Sequence, residues 1–167
     1  MDTKPIIANL TMRLATAEDI ALLAALYRET VLTHAPQHYS PAQTKAWAAF
    51  GANTPQFHRF ILGGTTYVAE AETVLGFGGL AADGHITALY VRHDCLGRGI
   101  GSQLLKTLLN QAHHESMTRL YAEASAFSLG LFQTFGFCHY GTDQVDRGGV
   151  MFERYLVEKM PPLLMLD

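Results

Sequence analysis

Residues 85–112 constrain this chain more tightly than any other stretch, because a strand, a glycine loop and a helix follow one another directly. His85, Ile86, Thr87, Ala88, Leu89, Tyr90 and Val91 have the β-branched and aromatic make-up of a strand, which ends at the turn Arg92-His93-Asp94. Leu96-Gly97-Arg98-Gly99-Ile100-Gly101-Ser102 comes next, with three glycines alternating with other residues. Ile100, Leu104, Leu105, Leu108, Leu109 and Ala112 then recur at helical spacing, so a helix begins near Gly99. The first amides of a helix have no intrahelical acceptor, and the helix dipole is positive there. Glycines remove the Cβ atoms that would hold a bulky anion away from those amides. The stretch reads as a cradle for a pyrophosphate, and Arg98 adds a fixed cation.

A tight turn ahead of a buried helix would use the same glycines, so the motif needs further tests. A P-loop requires lysine between its last glycine and the hydroxyl residue, and here Ser102 follows Gly101 directly. A dinucleotide fingerprint requires a third glycine where Ser102 stands. Leu96-Gly97-Arg98-Gly99-Ile100-Gly101 instead resembles the Arg/Gln-x-x-Gly-x-Gly/Ala pattern of the GNAT superfamily of N-acetyltransferases, with Leu96 in place of the first Arg or Gln. Ala88-Leu89-Tyr90-Val91 and Ser102-Gln103-Leu104-Leu105 extend the resemblance, which covers residues 10–157. Residues 38–47 also resemble a branch of small bacterial acetyltransferases of uncharacterised acceptor.

With 167 residues the chain is expected to form one domain over 1–167, with a core over about 10–157 and a tail over 158–167. Hydrophobic content of 49% and charged content of 16% suit a packed protein and exclude a disordered one. A net charge of −3 gives no electrostatic case for nucleic acid or an anionic membrane as partner. Cys95 and Cys138 match no metal spacing and suggest a reducing compartment. The longest apolar run, residues 20–26, is too short to span a bilayer, and no leader pattern is seen, so the expected location is cytoplasmic.

Along the chain, residues 10–14 alternate as a first strand, and Thr16 precedes Asp19 by three residues, a helix-entry signature. Ile20, Leu23, Leu26, Tyr27 and Val31 form the apolar stripe of a helix that stops before Pro36. Ser40-Pro41-Ala42-Gln43 is a complete capping box with proline at the first helical position. Thr54-Pro55 opens a third helix, closed by Gly63-Gly64. Strands over 65–70 and 73–80 follow, and Asp83-Gly84 is a hairpin turn into the strand before the glycine loop. A strand over 119–124, a short helix over 127–134, a strand beginning at 137–140 and a last strand over 150–157 complete the pattern. Two helices, an antiparallel meander, then strand, glycine loop and helix is the GNAT order. The expected fold is α/β, a mixed central sheet of six to seven strands flanked by helices.

The resemblance implies acetyl-CoA bound where two neighbouring parallel strands splay apart. It implies that Leu89, Tyr90 and Val91 border the cofactor, with backbone groups of Leu89 and Val91 pairing with the pantetheine arm. Leu96, Gly97, Arg98, Gly99, Ile100, Gly101 and Ser102 would hold the pyrophosphate. Ser125 occupies the position of a cofactor-contacting Asn, and Phe132 that of a Tyr that protonates the departing thiolate. Phenylalanine has no proton to give.

An attacking amine must be neutral, so a carboxylate or histidine is needed to take its proton. Tyr121, Glu123 and Ser125 alternate on one strand face. If that face lines the cleft, Glu123 is the candidate base and Tyr121 a replacement acid. An exposed strand carboxylate and a packed tyrosine are the plainer alternatives. His34 and Tyr39 lie in the region that walls the acceptor site in the superfamily, and Trp47 and His85 are further substrate-side candidates. The spacing of Trp47 and Phe50 fits core packing better, and a hairpin-end role is the plainer reading of His85. Pro36 between His34 and His38 spoils the geometry of a metal pair, and no metal is expected.

The resulting expectation is an N-acetyltransferase moving acetyl from acetyl-CoA to a primary amine by direct attack in a ternary complex. A non-catalytic CoA-binding or sensing module, prompted by Phe132, and a nucleotide-binding protein remain as alternatives. Oligomeric state is open, with a homodimer raised by the resemblance.

Overall fold

The computed structural model describes residues 7–52 and 54–161. Seven strands and five α-helices follow one another as β1 (Thr11–Leu14), α1 (Ile20–His34), α2 (Pro41–Ala49), α3 (Thr54–Leu62), β2 (Thr65–Glu70), β3 (Val74–Leu80), β4 (Ile86–Val91), α4 (Ile100–His114), β5 (Leu120–Ala124), α5 (Leu129–Thr134), β6 (Cys138–Arg147) and β7 (Val150–Lys159). Strands β1-β2-β3-β4 form one antiparallel sheet and β5-β7-β6 a second. The two meet at a single parallel bridge between His85 and Tyr121, where the Tyr121 amide donates to the Gly84 carbonyl at 3.1 Å. The mixed sheet is therefore two antiparallel halves joined at one rung, and the parallel pairing stops there.

Local sequence explains the helix entries. The Ser40 hydroxyl accepts from the Gln43 amide at 3.1 Å, and the Gln43 side chain accepts from the Ser40 amide at 2.9 Å. Thr16 and Asp19 make a second capping box, and Asp19 also receives both terminal nitrogens of Arg13, at 2.9 and 2.8 Å. Arg13 reaches Glu70 of β2 as well, at 2.7 Å, and so ties the start of α1 to the first hairpin.

Two apolar layers cover the first sheet. On one side Tyr27 of α1 and Phe57 of α3 pack with Phe77 of β3. On the other, Leu104 and Leu108 of α4 press against β3 at Gly76 and Gly78. A Cβ on Gly76 would lie 2.6 Å from the Tyr90 carbonyl oxygen and 3.2 Å from Leu104, so glycine there lets the helix approach the strand closely. Leu105, Leu108, Leu120, Phe132, Phe137 and Val157 join α4, α5 and the second sheet into a continuous core. Each fully buried side chain of this kind contributes about 1.5–3 kcal/mol.

The last strand extends through Lys159, past the expected end of the core at Val157. The short helix over 127–134 begins at Leu129 because Ser125 and Ser128 hold residues 125–128 in a turn. The tail from Pro162 onwards lies outside the described residues. No helix among the described residues is long and apolar enough to cross a membrane.

Candidate active site

A cleft of about 700 Å³ opens where β4 and β5 part beyond their bridge. Both strands supply wall, Ile86 to Val91 on one side and Ala122 to Ser125 on the other. In β4 the Arg92 amide donates to Leu75 at 2.8 Å, which fixes the alternation of the ladder with β3. Arg92, Tyr90 and Ala88 then bond towards β3, and the backbone groups of Leu89 and Val91 face the seam. Thr30 of α1 lies there too, its hydroxyl donating to the Val91 carbonyl at 3.0 Å.

At one end of the cleft is the glycine loop. Gly97 and Gly99 have φ of +71° and +82°, a left-handed backbone that glycine adopts without strain. A Cβ on either would meet nothing within 4 Å, so there is open space beside the main chain at both glycines. Helix α4 starts at Ile100, and the Gln103 amide is bonded to the Gly99 carbonyl at 3.0 Å. The amides of Ile100, Gly101 and Ser102 precede that rung and have no intrahelical acceptor. With Leu96, Gly97 and Gly99 these residues line the cleft; Arg98 does not. Gly101 backs onto Val91 and Leu131, where a Cβ would come within 3.7 and 3.3 Å.

At the other end stands Glu123. Its Oε2 lies 2.5 Å from His85 Nε2, and its Oε1 lies 3.9 Å from Arg154. The His85 hydrogen bond holds the Glu123 carboxyl below its ordinary pKa, against the opposing pull of burial. The His85 ring stacks on Tyr121 at 4.7 Å with 4° between planes. The Tyr121 hydroxyl donates to Asp83 at 2.6 Å, and the other Asp83 oxygen accepts from the His85 amide at 3.1 Å. That bond to Asp83 raises the Tyr121 phenol pKa. Glu123 lines the cleft, whereas His85 and Tyr121 stand behind it.

Ser125 lines the cleft, but its hydroxyl accepts from the amides of Phe127 and Ser128 at 3.2 and 3.3 Å and so caps the next turn. Phe132 is buried, lines the cleft and packs edge-on against Phe137 at 5.1 Å. Trp47 donates to the Tyr90 hydroxyl at 3.2 Å, and the Tyr90 ring packs on Tyr27 and Phe77. Tyr39 bridges the cleft, with its ring against Trp47 and Phe152 and its hydroxyl accepting from the Ala126 amide at 3.1 Å. His34 lines the wall with Nε2 2.8 Å from the His93 carbonyl and Nδ1 3.3 Å from the Gln37 amide nitrogen. No group of His, Cys, Asp or Glu among the described residues could hold a metal ion.

The β6–β7 hairpin adds Arg147, Phe152, Glu153 and Arg154 to the cleft, none of them a candidate from sequence. Alternation along these strands gives the shared face of Phe152 and Arg154, but only the folded second sheet turns that face towards α1 and α2.

The sequence profile of the acetyltransferase (GNAT) domain matches residues 35–157. The chain is 28% identical over 155 residues to the uncharacterized N-acetyltransferase YafP of Escherichia coli (strain K12), covering 92% of this chain and 97% of that protein. Its fold is similar to that of a GCN5-related N-acetyltransferase from Rhodopseudomonas palustris, with a TM-score of 0.89 and 24% identity over 95% of this chain and 99% of the other. It is also similar to the PaiA N-acetyltransferase of Thermoplasma acidophilum, solved in complex with coenzyme A, with a TM-score of 0.70 and 17% identity over 91% and 99% of the two chains. Because the domain profile spans more than half of the sequence, the chain belongs to the acetyltransferase (GNAT) domain family.

Proposed function

We propose that this protein is an acetyl-CoA-dependent N-acetyltransferase that acts on a primary amine by direct attack in a ternary complex. The observation that carries the reading is the continuity of one cleft, from the helix-start amides of Ile100, Gly101 and Ser102, along the open edge of β4, to the Glu123 carboxylate. The coenzyme A bound to PaiA, a protein of the same fold, supports the choice of donor.

The residues present suit such a ligand. Amides of Ile100, Gly101 and Ser102 would receive the pyrophosphate, and the seam-facing backbone of Leu89 and Val91 would pair with the amide-bearing arm as an added strand does. The arm would carry the thioester along the seam towards Glu123.

An alkylammonium group with a pKa of about 10 must lose a proton before it attacks. Glu123 is the base in this reading. His85 occupies Oε2, keeps the carboxyl ionised, and leaves Oε1 for the amine. Tyr121 and Asp83 act through His85, fixing its ring by stacking and its backbone by a hydrogen bond. The C–N bond forms as the C–S bond breaks, and the second proton on the attacking nitrogen passes to the departing sulfur. That transfer needs no phenol at the position of Phe132.

A second reading, a CoA-binding module without turnover, is favoured by Phe132 alone. Incubation with acetyl-CoA and a mixture of primary amines, followed by mass spectrometry, separates the two. Acetylated amine together with free CoA is expected. Tight CoA binding without any acetylated product would establish the module instead.

A further inference from the structure

Three strands of the second sheet set three charged side chains in one row. Asp143 of β6 stands directly opposite Arg154 of β7, and Glu123 of β5 stands opposite Leu156, two residues further along β7. Opposed residues and next-but-one residues share a face, so Asp143, Arg154 and Glu123 lie side by side on it. Arg154 is therefore the direct neighbour of Asp143 and the diagonal neighbour of Glu123. Its fork is turned to the first of these. Nε donates to Asp143 at 3.0 Å and Nη2 donates to the other carboxylate oxygen at 2.7 Å. The remaining nitrogen, Nη1, stops 3.9 Å from Glu123 Oε1, too far for a hydrogen bond. No other carboxylate lies within 4.0 Å of Arg154 among the described residues.

That gap falls at the oxygen on which the chemistry depends. His85 occupies Oε2, so Oε1 must accept the proton of the amine. His85 and Arg154 are the charged groups that act on the Glu123 carboxyl, with Tyr121 stacked behind the His85 ring. Without Asp143, Arg154 would have Glu123 alone to turn to. A movement of about 1 Å would bring Nη1 into hydrogen bonding with Oε1. The carboxylate would then be closed on both sides and its basicity lowered. Asp143 also cancels the arginine's charge, so an arriving ammonium group meets Glu123 without a bare cation beside it.

We propose that Asp143 is a positioning residue for the base, holding Arg154 off Glu123 and keeping Oε1 open to the amine; this rests on the acetyl-transfer reading above.

The test uses the full chain and two measurements. In ¹³C NMR of glutamate-labelled protein, the Glu123 carboxyl signal is assigned by its loss in Glu123→Gln and titrated with pH. In Asp143→Ala its midpoint should move to lower pH. Arg154→Gln should raise the midpoint more in the Asp143→Ala background than in wild type, because the two residues act as one unit. Turnover is measured with acetyl-CoA and the most readily acetylated amine of the mixture above. Asp143→Ala should lower kcat/KM at least about tenfold, as expected when a general base is withdrawn. Asp143→Asn, which keeps one acceptor, should fall between it and wild type, and Asp143→Ala/Arg154→Gln should recover most of the loss. Calorimetric affinity for CoA reports that each variant is folded. An unmoved Glu123 midpoint in Asp143→Ala, or a double variant no more active than Asp143→Ala, overturns the role of Asp143 and leaves acetyl transfer standing. Absence of acetylated product from wild type with every amine overturns both.

Discussion

His85 and Glu123 reach across the seam between the two sheets and meet at 2.5 Å, one standing behind the cleft and the other in its wall. The pairing explains how a partly buried carboxylate is kept ionised beside an aromatic pocket. It also makes the pH dependence predictable. Glu123 works as a base only when deprotonated, so activity is lost as pH falls through its lowered pKa. Removing the His85 bond raises that pKa, and in His85→Ala the acid limb of the pH–rate profile moves to higher pH. Glu123→Gln should cost about 10²-fold or more in kcat with unchanged CoA affinity. Equal kcat in wild type and Glu123→Gln would remove it as the base.

Gly101 lies where the helix start meets the cleft, against Val91 and Leu131. Gly101→Asp puts a carboxylate beside the amides that would receive phosphate. Calorimetry should show CoA affinity reduced by at least about tenfold, or 1.4 kcal/mol, while the circular dichroism spectrum is retained. Wild-type protein should bind CoA in preference to ATP and NAD.

Arg13 holds Asp19 well below the usual carboxylate range, at about 2. A depressed folded-state pKa gives stability that is present above the unfolded value, about 3.9, and is lost as pH falls towards 2. Arg13→Ala should therefore shift acid unfolding to higher pH. It should also lower stability at neutral pH by about 1 kcal/mol, a figure discounted because Arg13 is partly solvated. Urea titrations at neutral and acid pH would measure both effects.

Gly76 and Gly78 give a graded test of how closely α4 packs on β3. Gly76→Ala forces a Cβ onto the Tyr90 carbonyl oxygen, a backbone atom with little room to move. Gly78→Ala meets the end of Leu108 at 3.1 Å, which can turn aside. Loss of about 1–3 kcal/mol is expected for the first and less for the second. Chemical denaturation curves of the two variants give the order directly.

Much of this architecture was legible in the sequence because it depends on neighbouring residues. The capping boxes at Thr16 and Ser40, the stripe through Leu23 and Tyr27, and the helix after Gly99 are local signals, and each element forms where its signal lies. The strand over 65–70 is found with those bounds. The residues missed depend on contacts distant in sequence. Alternation gives the shared face of Tyr121 and Glu123, but the register across the seam brings His85 to Glu123 and leaves Tyr121 behind it. Nothing near Tyr39 in sequence signals that its hydroxyl meets the amide of Ala126. Likewise, Arg147 enters the cleft only through the length and tilt of a hairpin that begins far along the chain.

The lone rung at His85 and Tyr121 makes the seam between the sheets a partly unzipped one. A guest lying along Leu89 and Val91 would act as the missing teeth, lending main-chain partners to an edge where Thr30 already meets the Val91 carbonyl. Loading and rigidity are then one event. Deuterium uptake at Leu89 and Val91 should slow, and the melting temperature should climb with CoA concentration as mass action requires.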